Sequence, residues 1–130
     1  MGVVGEADVE AELAAWLRGK LGVRVLTDLP ANLGDVLPVV QIQRVGGTDD
    51  SFRLDRAFVD VDTYAATRQA ASQLLSSARA LLLSELRGAV TDVAVFTAAR
   101  TITAPAWRPY ENQSLRRFGA TFEVFLHPVS

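Results

Sequence analysis

The chain predicts an α+β fold, a single domain over residues 1–130 with a mostly antiparallel sheet and two helices packed on one face. Three patterns carry that expectation. Two segments repeat apolar residues at helical spacing, five are β-rich or alternate with period two, and hairpin-like links join consecutive strands. The order is α-β-β-β-α-β-β, and links of this kind favour antiparallel neighbours.

Asp8 is a candidate N-cap, with Glu10 and Glu12 in a first turn where acids complement the helix dipole. Val9, Leu13, Trp16 and Leu17 then recur at helical spacing, and Gly19 and Gly22 close the segment. Residues 23–27 read as a short strand, and residues 28–35, with Pro30, Asn32 and Gly34, as a loop. Residues 37–45 form a β-rich run with Pro38 near its start. Residues 46–50, Gly-Gly-Thr-Asp-Asp, are expected to be a flexible turn. Residues 56–64 alternate, with Ala57, Val59 and Val61 on one face and Phe58, Asp60, Asp62 and Tyr64 on the other, which is at least partly wet.

From residue 66 to 86 the period changes to 3.6. Ala70, Leu74, Ala78 and Leu81, with Ala71, Leu75 and Leu82, make a wide apolar stripe opposite Arg68, Ser72, Ser76 and Arg79. Gly88 follows, residues 91–103 resume β-branched alternation, and residues 117–127 set Phe118, Ala120, Phe122, Val124 and Leu126 on one side.

Composition narrows the function. Hydrophobic residues make up 49% and charged residues 22%, the mark of a globular chain. Thirteen basic against fifteen acidic side chains give −2, which argues against a domain built to grip phosphate backbones. Without cysteine, disulfides, thiolate metal sites and cysteine nucleophiles are excluded. The first thirteen residues lack the basic and apolar regions of a signal peptide, and no apolar run is long enough to span a bilayer. The expected setting is inside a cell, or in a particle assembled there, with no membrane.

Catalytic chemistry finds no foothold. His127 is the only histidine, and no G-x-S-x-G, H-E-x-x-H or P-loop accompanies it, so no enzyme, cofactor or metal site is expected. Asp60 and Asp62 project to one face of a strand but lack a third ligand placed by motif. Contact chemistry is richer. Trp107, Arg108, Tyr110, Arg116 and Arg117 cluster in a proline-studded loop, and such residues dominate interface energetics. They read either as anchors for a partner or as a loop folded back on its own core. Asp49, Asp50, Arg53, Asp55 and Arg56 lie on an arm that reads either as reaching a neighbouring subunit or as a solvated hairpin tip.

Several segments, taken in order, carry a resemblance. They are L-P-x-N-L-x-D-V-L-P at 29–38, R-V-G-G at 44–47, D-R-x-x-V-D-V-D-x-Y-A at 55–65 and T-R-x-A-A at 67–71. W-R-P-Y-x-N at 107–112, R-R-F-x-A-T-F-E at 116–123 and a closing His127-Pro128 complete the set. The chain resembles the tail terminator proteins of long-tailed bacteriophages, in the versions found in phages and prophages of high-GC actinobacteria. It departs from many relatives in having Ala104-Pro105-Ala106 where they carry a glycine-proline before the tryptophan, which bears on the shape of that loop.

The resemblance implies a structural virion protein. Its subunits would close into a homohexameric ring on the head-proximal end of the tail tube, stop tail growth and meet the head-tail connector or head-closure protein. It would be assembled in the host bacterial cytoplasm and would bind the tube protein, while DNA passes through without specific binding. Asp60, Asp62 and Glu123 then become candidates for an acidic channel lining that repels phosphate, the alternative being a solvated outer face. Two rivals are another phage neck protein and a small bacterial ligand-binding domain.

Overall fold

Asp8 lies in extended backbone, and its Oδ1 accepts from the Ala11 N–H at 3.2 Å; this cap opens helix α1, Val9–Leu21. Glu10 and Glu12 occupy the first turn and Arg18 and Lys20 the last, the sense that complements the dipole. Gly22 ends the helix at φ 71°, a left-handed cap that suits glycine. The computed structural model describes residues 8–51, 54–108 and 116–129, with side chains at all of these except 48–51, 54 and 116.

Strand β1, Arg24–Leu26, is followed by a single 3-10 turn at Leu33–Asp35 and by β2, Val39–Ser51, and β3, Leu54–Ala65. Helix α2, Arg68–Ser84, is capped by Thr67, whose hydroxyl accepts from the Ala70 N–H at 3.1 Å. Strands β4, Ala94–Trp107, and β5, Arg116–Pro128, complete the order. The sheet runs β1-β2-β3-β5-β4, with β1 and β2 parallel and every other pair antiparallel. This is the α+β arrangement expected from the sequence.

Both helices cover one face, α1 against β1 and β2, α2 against β3, β4 and β5. The main core lies beneath them and joins Leu13 and Leu17 to Val40, Ile42, Val59, Val61, Leu75, Leu82, Phe96, Phe122 and Val124. On α2 the buried stripe is Ala71, Leu75, Ala78 and Leu82, whereas Ala70 is exposed. A smaller cluster of Leu33, Val39 and Tyr64 seals the β1–β2 connection against the sheet.

Two expectations need correction. Residues 46–50 are not a turn: β2 continues through them, with Gly46 opposite Phe58, Gly47 opposite Ala57 and Asp49 opposite Asp55. A register shift between Arg44 and Gly46 absorbs one extra residue. Gly47, at φ 119°, lets the facing backbone come so close that a Cβ would sit 2.8 Å from Ala57 Cα. The glycine pair therefore keeps the ladder going. Residues 104–107 are likewise strand, the end of β4, with Ala106 opposite Gly119 and Trp107 opposite Phe118. Three register shifts along β4, and its place at the sheet edge, accommodate Pro105.

Candidate functional site

The face of the sheet away from the helices carries the polar chemistry. Alternation on β3 sends Arg56, Phe58, Asp60, Asp62 and Tyr64 there, and the register on β5 sets Phe125, Glu123, Thr121, Gly119 and Arg117 opposite them. The face was expected to be partly wet, yet two of its three carboxylates are buried. Asp62 is 5% exposed and Glu123 1%, because arginines from neighbouring strands close over them.

Glu123 sits between two cations. Arg56 Nη1 donates to its Oε2 at 3.3 Å from β3, and Arg100 Nε donates to its Oε1 from β4. The Arg56 guanidinium also lies 5.6 Å from the centre of the Phe58 ring, within cation–π range.

Towards the other end of the same strands, Arg108 Nη1 donates to Asp62 Oδ1 at 3.0 Å and lies 3.6 Å from Asp60 Oδ2. Asp60 in turn accepts from the Thr121 hydroxyl. Gly119 makes this possible, since a Cβ there would overlap Asp62 Oδ1 and stand 2.6 Å from Arg108 Cδ. Burial pushes the Asp62 carboxyl above its ordinary value, although Arg108 and Arg117 oppose the rise; Asp60 adds to it. Tyr64 donates to Gln41 Oε1 at 3.0 Å, and Gln41 Nε2 donates to Thr27 O at 3.2 Å.

The loop cluster anticipated around Trp107 divides. Strand geometry sends Trp107 and Arg108 to opposite faces. Trp107 is half-buried, edge-on to Phe118 with centroids 5.6 Å apart, and Arg68 lies over both rings at 5.2 and 5.7 Å. These contacts engage Trp107 within the subunit. Arg117 ties the strand ends together: the Arg108 N–H donates to Arg117 O at 2.8 Å, and Arg117 Nε donates to Arg108 O at 3.4 Å. Tyr110 and Arg53 lie outside the described residues, as do the side chains of Asp49, Asp50 and Arg116.

Within the arm, Asp55 takes a two-pronged contact from Arg44 at 2.7 and 2.9 Å, and the Arg44 N–H donates to Glu10 at 2.7 Å. Asp55 and Arg56 are thus both engaged inside the subunit. His127 Nδ1 lies 2.8 Å from Pro128 O at a strand end. Among the described residues no three acids or histidines converge as a metal cage would require, and no helix is long and apolar enough to cross a membrane.

Sequence reasoning missed Arg100, and with it the role of Glu123 as an anchor. The alternation of β5 was visible, but which β4 residue faces Glu123 depends on bulges at 97 and 102 that local pattern does not reveal.

Comparison with known proteins adds a family and a fold. A family model described as phage tail termination protein matches residues 5–105. Among solved structures, a chain from the virion of a native gene transfer agent particle aligns with a TM-score of 0.60 at 15% identity, over 87% of this chain and 85% of that one. At that identity the likeness is one of fold. No curated protein matches significantly.

Proposed function

The chain belongs to the phage tail termination protein family, and from that premise we propose that it caps the head-proximal end of the tail tube as a ring. The match over residues 5–105 carries the reading. Membership makes it a structural tail protein. The finer proposal is that six copies close the ring, halt tube polymerisation and offer a joint to the head-tail connector or head-closure protein. Assembly would take place in the host bacterial cytoplasm, DNA would later pass through without specific binding, and no bond would be made or broken.

The tip of the β2–β3 hairpin supports a ring because it stands at the end of the sheet, its last pair, Ser51 with Leu54, lying just past the last β3–β5 pair, Asp55 with Leu126, where a neighbour can meet it. Asp49, Asp50 and Arg53 at its far end, with Tyr110 and Arg116 beyond β4, remain proposed contacts with another subunit or the tube. Trp107, Arg108, Arg117, Asp55 and Arg56 are already engaged within the subunit, so they act first by holding those segments in place. For Asp60, Asp62 and Glu123 the geometry favours a contact face over a channel lining. Their charge is met by Arg56, Arg100 and Arg108, which blunts any repulsion of phosphate.

Deletion of the gene, followed by electron microscopy of the particles, tests the reading. Overlong or unjoined tails are expected. Full heads beside detached tails of normal length would overturn it in favour of a head-side neck protein.

A further inference from the structure

Arg18 and Arg24 are held differently from the arginines of the uncovered face. Each donates to a main-chain carbonyl, Arg18 Nη2 to Val25 O at 2.7 Å and Arg24 Nη1 to Val36 O at 3.2 Å. Arg44, Arg56, Arg100 and Arg108 all meet acids of their own subunit, whereas no carboxylate among the described residues lies within ion-pair distance of Arg18 or Arg24. The two line one open groove of about 580 Å³ with Gly22, Val23, Leu26 and Pro38. It lies at β1, an edge strand of the sheet. Val25 is buried beneath the helices, so alternation puts Arg24 and Leu26 on the other face, while Arg18 comes from α1 on the helix side. The groove therefore carries one exposed arginine on each side of the sheet, with apolar side chains in its lining.

The carbonyl bonds engage one nitrogen of each guanidinium and leave others for acceptors that the described chain does not supply. An arginine already fixed at one nitrogen loses less freedom when its fork meets a carboxylate. A segment lying extended beside an edge strand sends successive side chains to opposite faces. Two adjacent acids would thus meet Arg18 on one side and Arg24 on the other. Arg18 already occupies Val25 O, so charge rather than a main-chain ladder carries the recognition.

We infer that this groove receives an extended acidic segment of another protein, two neighbouring carboxylates of which pair with Arg18 and Arg24 while apolar neighbours rest on Val23, Leu26 and Pro38. A phosphate backbone suits the site less well. It calls for a row of cations, and Asp28 and Asp35 stand exposed on the segment that joins Leu26 to Pro38. The groove lies at the end of the β2–β3 ladder away from the hairpin tip, since Arg24 pairs with Val39. It adds a partner surface to the proposed function and does not depend on the ring.

Amide NMR of the full chain with the blocked hexapeptide V-T-E-E-T-V tests it. Shifts at Gly22, Val23, Arg24 and Leu26 are expected at millimolar peptide, fading with added salt, and none with V-T-Q-Q-T-V. Arg24→Gln and Arg18→Gln should each weaken binding about threefold. Arg24 is exposed and outside the helix, so its variant keeps the test open if the other disturbs α1. No shifts, equal shifts from V-T-Q-Q-T-V, or unweakened binding by Arg24→Gln would each overturn the inference. So would stronger shifts from an octathymidine strand, which make the site one for phosphate, or shifts at the same residues on concentrating the protein alone, which make the occupant a second copy. Tail length on gene loss reads the terminator role separately: normal tails sink that role and leave the groove standing, and overlong tails without peptide shifts sink only the groove.

Discussion

Strand β3 serves both faces of the sheet, and the two are held by different physics. Towards the helices, Ala57, Val59 and Val61 are fully buried in a continuous apolar layer. Removal of their surface from water stabilises the fold without regard to orientation. Away from the helices, Asp62 is almost as inaccessible, but only because Arg108 reaches it over Gly119. Burial there depends on geometry, since a carboxylate out of water is tolerated only with its partner in place. One strand thus shows that low exposure has two meanings, one that depends on filled apolar volume and one that depends on a specific charged partner.

Four substitutions sharpen that contrast. Phe122→Ala empties a fully buried position under the helices and should cost about 4 kcal/mol in urea unfolding, with little dependence on ionic strength. Gly119→Ala inserts a methyl group into the Arg108–Asp62 contact and should cost about 3 kcal/mol by the same measurement. A loss below that of an ordinary surface change would show that the contact yields easily.

Glu123→Gln keeps the shape but withdraws the charge between Arg56 and Arg100. Because Arg100 is largely exposed, the expected cost is about 1–2 kcal/mol, and it should shrink in high salt, unlike that of Phe122→Ala. The smallest effect concerns pH. The Asp62 carboxyl is raised in the folded chain, so folding favours its protonated form. Its stabilising contribution is full below the ordinary value of 3.8 and is lost as pH rises through the raised value. Melting temperatures of wild type and Asp62→Asn should therefore differ in favour of wild type most at the acid end, and that advantage should fade as pH rises. A constant offset would remove burial as the cause.

The covered face was legible in the sequence because its code is local. Leu13 and Leu17 on α1, Leu75 and Leu82 on α2 and the alternation of β5 each announce an apolar side from a few neighbouring residues. The uncovered face was not, because its code is shared between strands distant in sequence. Arg100 gains meaning only beside Glu123, and Arg108 only beside Asp62, 46 positions away. The glycines misled for a related reason. Gly46 and Gly47 look like a turn when read along the chain, whereas their use is in what faces them across the ladder. Trp107 read either as an anchor for a partner or as packing within the subunit, and its contacts with Phe118 and Arg68, neither of them adjacent in sequence, could not be seen locally.

The sheet order has a consequence for how the polypeptide is made. Strand β5 is the last of the five in sequence, yet it lies between β3 and β4. Until the ribosome has released it, β4 has no ladder partner and one long border of β3 stays open. A nascent chain halted before residue 116 would present both as sticky templates for its neighbours. Completion of the sheet therefore waits on residues 116–128, and neither face is finished until they are in place.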